Sequence, residues 1–149
     1  MLQPWTRALV ALALAGCTST SSNMTAGASP AELPGFSQGY DEVFGAALTA
    51  AALLSWEVTL AERDAGMISA RTPMSLASYG DKVSIRIFRP DSARPDTLVR
   101  VGFTSSTEQL TDWGQGGRNQ RNFFQRLREV LAGTAARRDS LAAREVTAP

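Results

Sequence analysis

The fold is decided by residues 56–72, which read WEVTLAERDAGMISART. Trp56, Val58 and Leu60 alternate with polar or small residues, and this period of two is typical of a half-buried β-strand. Residues 63–66 (RDAG) then supply turn chemistry, after which the alternation resumes. The pattern therefore predicts a β-hairpin.

A one-faced helix is predicted directly before this hairpin. Asp41 and Glu42 fall in its first turn, where the helix dipole favours negative charge. Its apolar residues recur at helical spacing, at Tyr40, Val43, Phe44, Ala47, Leu48, Ala51 and Leu54.

Two further strands are predicted after the hairpin. Their apolar residues again alternate, at Val83, Ile85 and Ile87 and then at Val99, Val101 and Phe103. Successive strands joined by short loops are most simply an antiparallel meander.

A second helix is predicted from about Arg118 onward. Its apolar residues share one side, at Phe123, Leu127, Val130 and Leu131. Beyond Leu131 a glycine and a threonine weaken the helix, so we expect residues 132–149 to be a frayed or disordered tail. The sequence thus predicts one α+β domain over 37–131, in the order α-β-β-β-β-α. We expect a four-stranded antiparallel meander sheet with two helices packed on one face.

The N-terminus has the three parts of a secretory signal. Arg7 precedes an apolar run that ends in LAGC, residues 14–17. The run is too short for a spanning helix, which needs about 20 apolar residues. The motif resembles the lipobox of bacterial lipoproteins, and this resemblance implies a signal peptide over 1–16 and lipidation of Cys17. The alternative is an ordinary signal peptide with an incidental cysteine.

A tether is expected between the lipid and the domain. Residues 17–36 are rich in Ser, Thr, Ala, Gly and Pro, and they have too little apolar surface to offset the entropy of ordering. Thr18 follows the cysteine, and in Gram-negative lipoproteins a residue other than Asp there implies transfer to the outer membrane. The resemblance therefore places the domain in the bacterial cell envelope, lipid-anchored and facing the periplasm.

The folded segment resembles the BamC-like helix-grip domains of envelope lipoproteins. The shared features are a helix leading into residues 55–58 (SWEV) and a hairpin carrying residues 64–68 (DAGMI). BamC, a lipoprotein of the barrel-assembly machine, has two such domains, whereas this chain has room for one. The resemblance implies the helix-grip fold and carries over no functional residue.

The amino-acid composition limits the catalytic groups that the chain can use. Histidine is absent and Cys17 is the only cysteine, which removes the commonest general base and, after lipidation, any thiolate nucleophile. The formal net charge of +1 falls to zero when Arg7 leaves with the signal, so no basic excess indicates nucleic acid or an anionic bilayer. We predict no cofactor, no metal and no nucleic-acid partner. The expected partners are the membrane, through the lipid, and another envelope protein or a cell-wall component.

One candidate contact surface is a glycine-rich loop around a tryptophan. Its residues are Asp112, Trp113, Gly114, Gly116 and Gly117. Trp113 either anchors a partner or folds over the core as a lid, and we favour the lid because a large aromatic is usually buried. The glycines before the second helix also permit a close backbone approach to a phosphate.

A second candidate surface lies on the sheet face opposite the aliphatic core row, at Arg86, Phe88, Leu98 and Arg100. This mixed surface is either a groove for a peptide or an amphiphile, or a partly wet sheet face of no special use.

The carboxylates available to an enzyme are Glu57, Glu62, Asp64 and Asp112. A two-carboxylate hydrolase needs both acids at a fixed separation in a cleft, and the spacing gives no sign of one. We therefore predict a non-catalytic binding or structural domain with no catalytic residue. The alternative is a carboxylate-dependent enzyme such as a cell-wall hydrolase.

Overall fold

The computed structural model describes residues 32–74, 80–90, 98–106 and 115–146. The chain is α+β, with two helices and an antiparallel five-stranded sheet. In chain order the elements are β1 (Gly35–Phe36), α1 (Tyr40–Leu53), β2 (Glu57–Glu62), β3 (Met67–Arg71), β4 (Lys82–Phe88), β5 (Val99–Ser106) and α2 (Gln115–Val146).

The sheet has the strand order β1-β5-β4-β3-β2. Strands β2 to β5 form the predicted antiparallel meander, which is confirmed. The predicted number of four strands is wrong by one, because Gly35 and Phe36 pair with Arg100 and Val99 at the β5 edge. Two paired residues are too few to show an alternating pattern, so the sequence predicts no strand at the end of the expected tether.

One hydrophobic core lies between the sheet and the two helices. Helix α1 contacts β2, β4 and α2, and α2 also contacts β5. The indole of Trp56 stacks on Phe123 of α2 at 6.0 Å between ring centroids, and Phe123 lies 5.4 Å from Phe103 of β5. From the apolar patterns we expect seven residues to be largely buried in one cluster, namely Phe44, Trp56, Val58, Val83, Ile85, Val101 and Phe123. Burial is confirmed for all of them except Val58.

The seventh core residue, Val58, was predicted wrongly, because β2 is an exposed edge strand with a bulge. Val58 pairs with Ala70 but Leu60 pairs with Ser69, and the register shifts between them. The two apolar side chains therefore point to opposite faces of the sheet. Val58 is 37% exposed and Leu60 is 40% exposed.

The β2–β3 turn is fixed by Gly66 and docked on α1. Gly66 has φ +65°, and an added Cβ would lie 2.1 Å from the carbonyl oxygen of Ile87. The same residue accepts a hydrogen bond from the Ile87 N–H at 2.8 Å. On the other side of the turn, the Tyr40 hydroxyl donates to the carbonyl oxygen of Arg63. The glycine of the predicted turn is thus required by both its backbone conformation and its close contact with β4.

Helix α2 is longer at both ends than the sequence predicts. It begins at Gln115 rather than near Arg118, and it continues to Val146 through most of the segment expected to be a frayed or disordered tail. Alanine and arginine are strong helix formers, so one glycine, at a cost of about 1 kcal/mol, does not stop the helix. Arg138 also forms a 2.9 Å ion pair with Glu42 of α1.

The described residues contain two helices, α1 and α2. Neither α1 nor α2 combines the length and the hydrophobicity that crossing a bilayer requires.

Candidate functional site: the open sheet face

The open sheet face is the side of the sheet that α1 and α2 leave uncovered. Side chains alternate along each strand and register partners share a face, so the register fixes which residues lie on it. On the three central strands these are Met67, Ser69 and Arg71 of β3, Lys82, Ser84, Arg86 and Phe88 of β4, and Arg100, Gly102, Thr104 and Ser106 of β5.

The middle row of this face consists of short hydroxyl side chains. Ser69 pairs with Ser84, and Ser84 pairs with Thr104. Their small size leaves a shallow depression of about 310 Å³ between the longer side chains around them. At the β2 end of the row, the Thr59 hydroxyl donates to the Ser69 carbonyl oxygen at 3.2 Å. On β3, β4 and β5 the row is therefore a strip of hydrogen-bonding groups, and Leu60 of β2, the register partner of Ser69, lies at its end.

Cationic side chains lie on both sides of the hydroxyl row. Arg71 and Lys82 are cross-strand partners in the row on one side. Arg86, which pairs with Met67 and Gly102, lies in the row on the other side. All three cations are exposed. The exposed cations of the face thus lie on β3 and β4, and the half-buried Arg100 adds a fourth cation on β5.

Acidic side chains share this face only at its outer margin. Glu57 pairs with Arg71, and Glu62 pairs with Met67, so both carboxylates lie on the edge strand β2. Both are exposed, as is Asp64 in the following turn. The described candidate acids consequently lie along an exposed edge strand and its turn.

The fourth row of the open sheet face is covered by the chain's own N-terminal segment. Leu33 is only 5% exposed. A Cβ added at Gly102 would lie 3.5 Å from Leu33 Cδ1 and 3.6 Å from Phe88 Cε2. A Cβ added at Gly35 would lie 2.9 Å from Leu98 Cδ1. Leu33, Phe88 and Leu98 therefore surround the two glycines at this end of the face.

Hydrogen bonds fix this N-terminal segment in place. Arg100 donates from Nη1 to the Leu33 carbonyl oxygen at 2.9 Å. The Val101 N–H donates to the Pro34 carbonyl oxygen at 3.0 Å. Of the four residues predicted as contacts on this face, Phe88, Leu98 and Arg100 are half-buried here and only Arg86 is exposed.

A buried polar cluster lies at the other end of the sheet. The Asp81 side chain is 1% exposed, and its Oδ2 accepts a hydrogen bond from Asn119 Nδ2 at 2.6 Å. The Asp81 N–H donates to the Thr72 hydroxyl at 2.7 Å. Ser105 Oγ lies 3.5 Å from the same Asn119 nitrogen. Within the described ranges, Asp81 Oδ1 has no hydrogen-bond partner.

This cluster ties α2 to three strands, and sequence reasoning missed it. Asp81 and Asn119 are 38 residues apart, and no spacing rule connects them. Gly80 and Asp81 read in the sequence as ordinary turn residues. A buried carboxylate bound to a side-chain amide of another element holds the two elements together. Acid–base catalysis requires a proton-transfer partner facing a substrate.

The predicted tryptophan loop is largely outside the described residues, as are Asp112, Trp113, Gly114 and Cys17. Gly116 and Gly117 are described, and they form part of the first turn of α2 instead of a loop. For metals, the described ranges hold no group of three His, Cys, Asp or Glu side chains that could bind an ion.

Comparison with known proteins adds no relative to this picture. No family model matches the chain. No curated protein and no solved structure matches it either. The lipobox and the BamC-like resemblance stay predictions, and inference about function rests on the chain's own motifs and surfaces.

Proposed function

We propose that this chain is an envelope lipoprotein whose small domain binds its partner through the open sheet face. The lipid on Cys17 would hold it at the membrane, and Thr18 favours the outer membrane with the domain in the periplasm. We also propose, from the helix leading into Trp56 and the turn at Gly66, that the domain is of the BamC-like helix-grip kind.

One observation carries the choice of surface. Two helices cover one side of the sheet, but the other side remains open around the depression at Ser69, Ser84 and Thr104. Arg71 lines this depression, and Arg86 lies in the row beyond it. The short hydroxyl side chains of this surface lose little side-chain freedom on binding, and the strand register fixes the positions from which the longer cations reach a ligand.

A binding role suits this site better than a hydrolytic one. A hydrolase with two carboxylates places both in a cleft on either side of the scissile bond. Here Glu57 and Glu62 lie at opposite ends of an exposed edge strand, and the buried Asp81 is bound to Asn119. The groups that line the depression are hydroxyls and cations, which donate hydrogen bonds to a ligand.

The anchor is tested by Cys17→Ser in the full-length chain, with Thr18→Ser as the matched control. We expect the control to incorporate labelled palmitate and to sediment with the membrane fraction. Cys17→Ser should lose the label and keep its signal peptide, because the lipid acceptor is gone. A Cys17→Ser protein that still carries the label would contradict the anchor.

A further inference from the structure

We infer that the open sheet face binds the phosphate-bearing headgroups of the same membrane that holds the lipid anchor. This inference rests on the proposed function and names the ligand of the proposed surface. Four observations carry it: the donor groups of the face, the distribution of its charges, the position of the tether root and the length of chain before that root.

The donors of the face suit a phosphate. Arg71 and Arg86 carry planar guanidinium groups, which bind phosphate oxygens in a bidentate manner. Between them lies the hydroxyl row, and alternate residues along a strand are about 6.6–6.8 Å apart. The two cationic rows are thus separated by about 13 Å. Arg71 and Lys82 line the depression together with the hydroxyl row, and Arg86 lies in the row beyond it. A headgroup phosphate in the depression is within reach of long side chains from both rows.

The acids and the exposed cations of the face lie on different strands. The exposed cations lie on β3 and β4, whereas Glu57 and Glu62 lie on the edge strand β2, where Glu57 is the cross-strand partner of Arg71. The formal net charge of the whole chain, +1, gives no sign of this arrangement. The acidic edge is also the sheet edge farthest from β1, so strands β3 and β4 lie between the acids and the tether root.

The tether root lies on the open sheet face itself. Leu33 packs beside Phe88 and Gly102 on that face, and Arg100 holds its carbonyl oxygen. The chain therefore leaves the domain from the side that bears the cations. A lipid at Cys17 is about 16 residues away, which corresponds to at most about 55 Å of extended chain. The point where the chain enters the face is consequently held within about 55 Å of the lipid, whatever path the connecting chain takes.

Because the lipid would hold the domain near the bilayer, a weak attraction between the face and the headgroups is sufficient for docking. A lysine or arginine near an anionic leaflet shifts a docking equilibrium about fivefold, within a range of about 10 Å. Tethering replaces a bimolecular encounter by an intramolecular one, so a few such charges can hold the face on the membrane.

The test uses the lipidated full chain in vesicles of phosphatidylcholine, with or without phosphatidylglycerol. A fluorophore is attached at Ser106→Cys, on the open sheet face, or at Thr49→Cys, on the exposed side of α1. Lipidation leaves no thiol at Cys17, so each variant has one labelling position. A nitroxide on the lipid headgroup reports proximity by quenching. We expect strong quenching at position 106 only with phosphatidylglycerol, and weak quenching at position 49 in both vesicles.

The double variant Arg71→Gln/Arg86→Gln should lower the ratio of docked to undocked protein about 25-fold. The matched control Arg121→Gln/Arg137→Gln removes the same charge from exposed positions of α2 and should leave quenching unchanged. Equal quenching at positions 49 and 106, or no response to the Arg71/Arg86 variant, would overturn the inference. A soluble acidic polysaccharide can be added at a concentration that leaves the charge of the vesicles unchanged. If it releases the face from the vesicles, the ligand of the face is a wall polymer, and the membrane as occupant is contradicted.

Failure of the anchor is distinguishable from failure of the face. The mass of the N-terminal peptide shows whether Cys17 carries lipid. If it does not, the anchor is refuted, and the face is tested on the same chain by sedimentation with phosphatidylglycerol vesicles. Binding that is weakened by Arg71→Gln/Arg86→Gln, and not by Arg121→Gln/Arg137→Gln, would still support the face. Equal binding by both variants would refute it.

Discussion

Arg100 donates a hydrogen bond from Nη1 to the carbonyl oxygen of Leu33, 67 residues earlier in the chain, at 2.9 Å. This bond makes residues 33 and 34 part of the folded domain and places them on the open sheet face, where the proposed tether would begin. The position from which an anchored domain is held decides which of its surfaces can meet the membrane.

Leu33→Ala should lower the free energy of unfolding by about 2–3 kcal/mol, because it empties a buried site beside Phe88. Chemical denaturation measures the loss, and Leu141→Ala, at a site that is 61% exposed, is the matched control. The Val101 N–H, bound to the Pro34 carbonyl oxygen, should also exchange faster with solvent. Unchanged stability in Leu33→Ala would mean that the segment is not docked.

Asn119→Ala should cost about 1.5–3 kcal/mol, because it removes the amide that donates to the buried Asp81 carboxylate. Asn122→Ala is the control, since Asn122 is exposed on the same helix. Thermal unfolding of the two variants provides the comparison. Equal midpoints would show that the Asp81 cluster does not hold α2 on the sheet.

Gly66→Ala should destabilise the domain by about 2–4 kcal/mol, because the new Cβ meets the Ile87 carbonyl oxygen and φ is positive. Gly45→Ala is a control with the opposite expected sign. Nothing lies within 4 Å of an added Cβ at that exposed helical position, so helix propensity should stabilise it by up to about 1 kcal/mol. Two losses of similar size would contradict the described geometry of the turn.

Phe44→Ala should lower the free energy of unfolding by about 3–5 kcal/mol, as truncation of a buried aromatic does. Phe44 is 5% exposed and stacks on Tyr40 at 6.2 Å between ring centroids. Leu53→Ala on the same helix, at a position that is 58% exposed, should change stability by about 0.5 kcal/mol or less. Equal denaturation midpoints for Phe44→Ala and Leu53→Ala would mean that α1 does not pack on the core through the face that carries Phe44.

The sequence predicts the parts of this fold in which local period and burial coincide. Strand β4 shows this well, since Val83, Ile85 and Ile87 alternate in the sequence and all three are buried. In β2 local period and burial do not coincide, because a bulge moves Leu60 to the other face of the sheet. No residue type in the sequence indicates a bulge in advance.

Contacts between distant parts of the chain escaped prediction for a different reason. Leu33 is a single apolar residue in a polar segment, and nothing local shows that it packs beside Gly102. The bond between Asn119 and Asp81 likewise depends on where α2 crosses the sheet. For the candidate site, Arg86 was foreseen as a contact, whereas the hydroxyl row requires the register of three strands.

The open sheet face, rather than the helical side, should be the contact surface of the anchored protein. Site-specific photo-crosslinking from Ser84 and from Thr49, in the full-length chain in the cells that produce it, tests this most directly. We predict crosslinked adducts from a photoreactive residue at position 84 and none from one at position 49. The adducts from position 84 should be lost in Arg71→Gln/Arg86→Gln. Adducts from Thr49 at the level of Ser84, or adducts from Ser84 that persist in the double variant, would contradict it.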